Sequence, residues 1–383
     1  MKIVIAMDSF KGSLSAAEAG RAAACGIRKA MPDAEVQIFP VADGGEGTVE
    51  ALVSGLQGRY RRISVSDPLG RSVEAQYGIL PDGTALIEMA AASGLPLLSE
   101  SERNPMQTTT YGFGEMIADA IHQGCRSFLL GIGGSATNDG GIGCLQALGF
   151  GFLDERGNPV PYGAEGLGAV YHINTDHVMP ELSECRFDVA CDVNNPLCGV
   201  NGCSYVFAPQ KGADAAIVAD MDRMMQRFSA LVKEFAPDSD ADLPGSGAAG
   251  GLGFALRTFL RADLQPGISL VIRKTGIEDA IQGADIVVTG EGRMDAQTVM
   301  GKVPVGVAAA AKKYGLPVIA FCGSSGDGAS RCNTHGIDAY FPILRMTLTE
   351  QEAMKPETAQ INLSETAEQV FRLYACIRKE APG

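Results

Sequence analysis

The stretch VVTGEGRMDAQTVMGK, residues 287–302, places Glu291, Arg293, Asp295, Thr298 and Lys302 within a dozen residues of an apolar run that breaks at Gly290. Glu291 and Asp295 offer hard oxygen donors of the kind magnesium takes, in small number, beside a substrate's phosphates. Lys302 is a point-charge partner for phosphate, and Thr298 can cap or donate. Pro304 suits the first turn of a following helix. Together these residues fit phosphoryl transfer better than hydride or acyl chemistry.

Five further stretches share this form. MDSFKGS (7–13) carries Asp8 and Ser9, read as turn and helix-cap residues, and Lys11, which capping alone does not require. VADGGEGT (41–48) sets Asp43 before two glycines that let backbone approach a ligand closely. GIGGSATNDGG (131–141) brings Gly133, Gly134, Ser135, Thr137, Asn138 and Asp139 together in a loop whose amides and hydroxyls could face phosphate oxygens. CDVNNPL (191–197) ends an apolar run on Asp192, a possible metal ligand or proton acceptor, although an Asx-turn ahead of Pro196 explains the same residues. APQKGA (208–213) sets Lys211 just before a helix. No Walker A loop or nucleophile elbow occurs, and no G-x-G-x-x-G loop follows the first strand, which counts against a dinucleotide-dependent oxidoreductase and a serine hydrolase.

Each stretch sits where an apolar run ends, so strands must position it. Short apolar runs at 2–6 and 35–42 alternate with helical patterns, and the alternation returns after Gly276 with strands over 285–289, 317–323 and 337–344 and helices over 303–314 and 363–380. That rhythm predicts a mostly parallel, doubly wound sheet. Between them, 61–90 reads as an antiparallel meander with turns at 68–70 and 81–83. Helices over 110–122 and 213–235, strands over 127–133 and 187–193, and a linker or loop over 237–253 complete the middle. The expected architecture is α/β with two α/β domains. Both chain ends, 1–66 and 265–383, form a Rossmann-like mostly parallel domain; 67–264 forms an inserted mixed α/β domain, with the active site in the cleft between them.

Composition bounds the partners. With 383 residues, 46% hydrophobic and 20% charged, the chain can bury large cores. A net charge of −14 argues against nucleic acid and anionic membrane, so any polyanion must be met by a few gathered lysines and arginines. Ten cysteines without a C-x-x-C pair, and only four histidines, point to a reducing compartment and away from zinc. The apolar run at the N-terminus is too short for a signal-peptide core, and no run approaches a bilayer span; the expected location is cytoplasmic.

In order along 2–378, DSFKGS, ADGGEGT, GGSATNDGG, CDVNNPL, PQKGA and TGEGRMDAQT..GK closely resemble the bacterial glycerate kinase family (type 1). The resemblance implies ATP-dependent, Mg²⁺-assisted phosphorylation of D-glycerate on a two-domain α/β scaffold, with 2-phosphoglycerate favoured over 3-phosphoglycerate as product. It implies catalytic roles for Lys11, Asp192, Asp295 and Lys302. Nucleotide contacts would come from Gly133, Gly134, Ser135, Thr137, Asn138, Lys211, Gly290 and Glu291. Metal ligation would come from Asp192, Glu291 and Asp295, and glycerate contacts from Asp8, Ser9, Asp43 and Arg71. A non-catalytic anion- or nucleotide-binding protein built on the same loops is the alternative.

Overall fold

The structure, a computed structural model, describes residues 1–380. The chain divides into two compact units. The first comprises Met1–Asp43, Glu50–Leu56 and the chain from Ile268; the second comprises Gly44–Val49 and Gln57–Gly267. Strands β1 (Lys2–Met7) and β2 (Glu35–Pro40) belong to the first unit. The second holds β3 (Arg59–Ser66), β4 (Ser72–Ile79), β5 (Thr84–Glu88), β6 (Ser127–Gly131), β7 (Gly151–Leu153), β8 (His172–Asn174), β9 (Arg186–Ala190) and β10 (Asp263–Gln265). Strands β11 (Ile286–Met294), β12 (Val318–Ser325) and β13 (Ala339–Pro342) return to the first.

The first unit is built on a wholly parallel sheet in the order β13-β12-β11-β1-β2. Runs such as KIVIA are buried on both faces, as parallel sheets covered by helices require. The expected Rossmann-like sheet is therefore doubly wound. Its strand order along the unit is the flavodoxin-like 2-1-3-4-5, and the direction of winding switches between β1 and β11. The helix Ala16–Ala30 begins with a Ser15–Glu18 capping box and buries an alanine-rich face with Ile3, Ile5 and Leu363 in one core. Asp8 and Ser9 therefore do not cap it. Instead Lys11 lies exposed on a tight turn closed by Phe10 and Leu14.

The second unit carries a mixed sheet in the order β10-β9-β6-β5-β4-β3, antiparallel from β3 to β5 and parallel from β5 to β10. Beside Gly44–Val49 it takes the chain from Gln57 rather than from residue 67, and β3 pairs with β4 along its whole length. Its core gathers Phe113, Phe128, Phe187 and Leu130 around the parallel strands.

Two local expectations change. Strand β11 does not end at Gly290; it runs beside β12 to Met294, past the point where β1 stops at Met7. Only the first part of 237–253 is loop, since a kinked helix covers Ala248–Leu260. Its kink is three left-handed residues, Ala249, Gly250 and Gly251, a backbone that glycine adopts without cost. The bend brings Gly250 so close to the loop after β6 that an added Cβ would lie 2.2 Å from the Thr137 carbonyl oxygen. Among the described residues no helix is long and apolar enough to cross a membrane, and all ten cysteines are free.

Candidate functional site

In the first unit the predicted residues converge at the carboxyl ends of β1 and β11, the switch point where open parallel sheets bind ligands. Asp8 leaves β1 with its N–H donating to the Gly290 carbonyl (2.9 Å), and its Oδ1 accepts the Ser9 N–H (2.6 Å). Gly290 itself is buried in β11, so it supplies this carbonyl and no open surface. Glu291 stands one residue further, where β11 has lost β1 as a neighbour, and it is buried. The Thr298 hydroxyl donates to Glu291 Oε1 at 2.5 Å. Gly292 lets the neighbouring turn pass closely: a Cβ there would stand 3.2 Å from the Lys11 nitrogen.

These carboxylates repel one another. Burial first, then Asp43 and Glu291, push the Asp8 carboxyl up to about 7 against the opposing Ser9 hydrogen bond. Burial likewise pushes Glu291 up to about 7; Asp295 and Asp43 add to the rise, while the Thr298 hydroxyl and the Lys302 ammonium oppose it. Asp43, Asp295 and Lys302 therefore lie within electrostatic reach of Glu291. Asp295 opens the following turn, accepting the Gln297 N–H at 2.8 Å with Arg293 Nε at 3.4 Å. Lys302 is the N-cap of the helix Val303–Lys312, with Pro304 in its first turn. Two acids held near neutral pKa beside lysines can exchange a proton and meet anionic charge.

In the second unit the loop after β6 is polar in sequence but mostly buried. Gly133 and Gly134 are exposed, while Thr137, Asn138 and Asp139 are fully buried. Asn138 Nδ2 donates to Ser204 Oγ (3.0 Å), and Asp139 accepts from the Thr110 N–H and hydroxyl and from the Gly141 N–H. These side chains brace the loop, leaving the two glycine amides at its surface. Burial raises the Asp139 carboxyl above its ordinary range.

Lys211 is not the surface lysine its position before a helix suggests. It is 2% exposed, and its Nζ donates to Ser135 Oγ (2.8 Å) and the Thr137 carbonyl (2.6 Å). Burial lowers its pKa to about 8. Among the described residues no carboxylate forms an ion pair with it, so its charge polarises the loop above it toward anions.

Asp192 is exposed beyond β9 and accepts the Gly267 N–H on Oδ1 at 3.0 Å. The metal ligands expected from sequence thus divide, with Glu291 and Asp295 in the first unit and Asp192 in the second. No group of three or more His, Cys, Asp or Glu placed to hold a metal ion occurs among the described residues.

Arg71 is committed elsewhere: Nε donates to Asp67 Oδ2 and NH1 to Glu102 Oε1, both at 2.6 Å. Sequence reasoning passed over Glu88 at the end of β5, where Oε1 accepts the Val49 N–H (2.8 Å) and fixes the GGEGT turn. A carboxylate closing the apolar run TALIE was the available signal.

The glycerate kinase family model matches residues 3–375. A glycerate kinase of Halalkalibacterium halodurans is 47% identical over 92% of this chain and 93% of its own. The glycerate 2-kinase of Escherichia coli K12 is 47% identical over 93% of each chain. The crystal structure of a protein put forward as glycerate kinase 2 of Salmonella typhimurium LT2 superposes with a TM-score of 0.91, at 44% identity over 99% of each chain. Matched along nearly its whole length, the chain belongs to the glycerate kinase family and is a kinase.

Proposed function

We propose that the chain transfers the γ-phosphoryl group of ATP to the 2-hydroxyl of D-glycerate, giving 2-phosphoglycerate and ADP. The similarity to a glycerate 2-kinase over 93% of the chain carries the choice of position. The buried Lys211 beneath the exposed Gly133–Gly134 amides supports a phosphate cradle in the second unit. Asp8 is the proton acceptor. It is only half-buried, so a hydroxyl can reach it, and a carboxylate near 7 suits general-base work at neutral pH.

The glycerate oxygen attacks the γ-phosphorus, its proton passes to Asp8, and the bond to the β-phosphate oxygen breaks. Lys302 and Lys11 offset the charge on the transferred group. Ser9 and Asp43 shape the glycerate side of the same strand ends. Arg71, whose fork is already engaged, is left out.

Glu291 and Asp295 supply hard oxygen donors that fit Mg²⁺. Such an ion takes most of its ligands from phosphates and water, so a few carboxylates suffice. When bound, it would neutralise phosphate charge. Coupled assay of ADP formation with D-glycerate, ATP and Mg²⁺ tests the reading. ADP release that needs glycerate and Mg²⁺ together supports it; release independent of glycerate defeats it.

A further inference from the structure

Among the buried polar atoms that lack a hydrogen-bond partner in the described residues, Thr137 Oγ1 and Asn138 Oδ1 belong to the loop after β6, and Ser93 Oγ and Arg103 Nε belong to segments tied to that loop. Arg103 is the only charged group in that condition among the described residues. Other arginines of the second unit, such as Arg61 and Arg126, carry a carboxylate partner, whereas Arg103 forms no ion pair among the described residues. An unpaired, partly desolvated guanidinium is costly unless an anion meets it. A chain with a net charge of −14 and 45 carboxylate side chains could readily have supplied one.

The surroundings tie Arg103 to the glycine loop. Gly212 packs on its backbone so closely that an added Cβ would lie 2.2 Å from the Arg103 carbonyl oxygen and 3.1 Å from its Cβ. Gly212 directly follows Lys211, whose ammonium holds Ser135 and the Thr137 carbonyl. A few residues beyond Arg103, the Thr108 hydroxyl donates to the Ala136 carbonyl (2.8 Å), and the Ala136 N–H donates to the Ser93 carbonyl (3.0 Å). Arg103 and Lys211 thus belong to two segments packed on each other, both fastened to the loop at 135–137.

We propose that Arg103 is a substrate-binding residue whose guanidinium takes an oxyanion, a carboxylate or a phosphate group of one of the two substrates, beside the loop that Lys211 braces. The planar fork matches two oxygens at once, which an ammonium cannot do. The inference rests on the proposed reading of that loop as an anion cradle.

The test uses the full chain with Arg103→Met and Arg103→Lys. Steady-state kinetics varies D-glycerate and ATP separately, and calorimetric titration with each substrate measures binding without turnover. Loss of a charged hydrogen-bond pair predicts a KM and Kd for one substrate raised roughly tenfold or more in both variants, with the other substrate within about twofold. A rise for glycerate assigns the carboxylate; a rise for ATP assigns a phosphate. The Lys variant keeps the stem and the charge, so it decides the matter if the Met variant fails to fold. Unchanged KM and Kd for both substrates in Arg103→Lys, or a fall in kcat alone, overturns the inference, as does a wild-type chain that binds neither ligand. A wild-type chain that binds both but turns over neither defeats the kinase reading instead, and the titrations still decide Arg103.

Discussion

Glu291→Gln should make the protein more stable and less active, and the size of the stability gain depends on pH. Glu291 is 5% exposed, and burial raises its carboxyl from 4.5 to about 7. The unfolded chain loses this proton near the ordinary value, while the folded chain holds it until about 7. Between those values the folded state binds more protons, so stability falls as pH rises, and above 7 the whole cost stands. At 1.36 kcal/mol per tenfold change, ionising Glu291 in the fold costs on the order of 3 kcal/mol. Glutamine carries no charge and still accepts the Thr298 hydroxyl through its amide oxygen. Urea unfolding followed by circular dichroism, without nucleotide or metal, should show the variant more stable by up to ~3 kcal/mol near pH 8 and nearly equal to wild type near pH 5. Turnover should fall by about tenfold or more, because the removed charge helps set the proton affinity of Asp8. A variant less stable than wild type near pH 8, or with the same stability difference at both pH values, would refute the assignment of Glu291 as a buried, repelled carboxylate.

Further outcomes follow from the same geometry. Lys302→Met should lower kcat by roughly 10²-fold with no rescue by added Mg²⁺, since it removes a fixed positive charge from the transfer step; steady-state kinetics across a Mg²⁺ series checks this. With Asp8 as base, kcat/KM should rise with pH up to about 7 and then level off. In Asp43→Asn that limb should move to lower pH, because Asp43 raises both Asp8 and Glu291. Gly250→Ala should cost ~1–3 kcal/mol and weaken ATP binding, because it strains a left-handed position at φ +66° and presses on the Thr137 carbonyl; unfolding midpoints and the KM for ATP report both.

The β/α rhythm at the two chain ends was legible, and β1, β11 and β12 do lie in one sheet, because buried parallel strands leave continuous apolar runs in sequence. The position of Asp8 just past β1 was equally readable, whereas Glu291 lies inside β11, which the glycine before it made look finished. The burial of Lys211 was not, since nothing in APQKGA reveals that its ammonium bonds to a loop distant in sequence. The helix at Ala248–Leu260 was hidden by glycines that local propensity reads as linker, although their absent side chains serve an approach to Thr137. Arg103 left no trace in spacing, because what marks it is the partner it lacks rather than a residue beside it. Lys11 misled differently: a lysine after a strand suggested a helix start, but the capping box at Ser15–Glu18 delays the helix beyond the turn.

The central claim is phosphoryl transfer from ATP to the 2-hydroxyl of D-glycerate, and identifying the product by NMR tests it most directly. The full chain is incubated with ATP, Mg²⁺ and D-glycerate, and the proton-coupled phosphorus signal of the product is recorded. A doublet from the single methine proton on the ester carbon, as in 2-phosphoglycerate, is the predicted result. A triplet from a methylene ester carbon, as in 3-phosphoglycerate, or ADP formed without any phosphoglycerate, would contradict it.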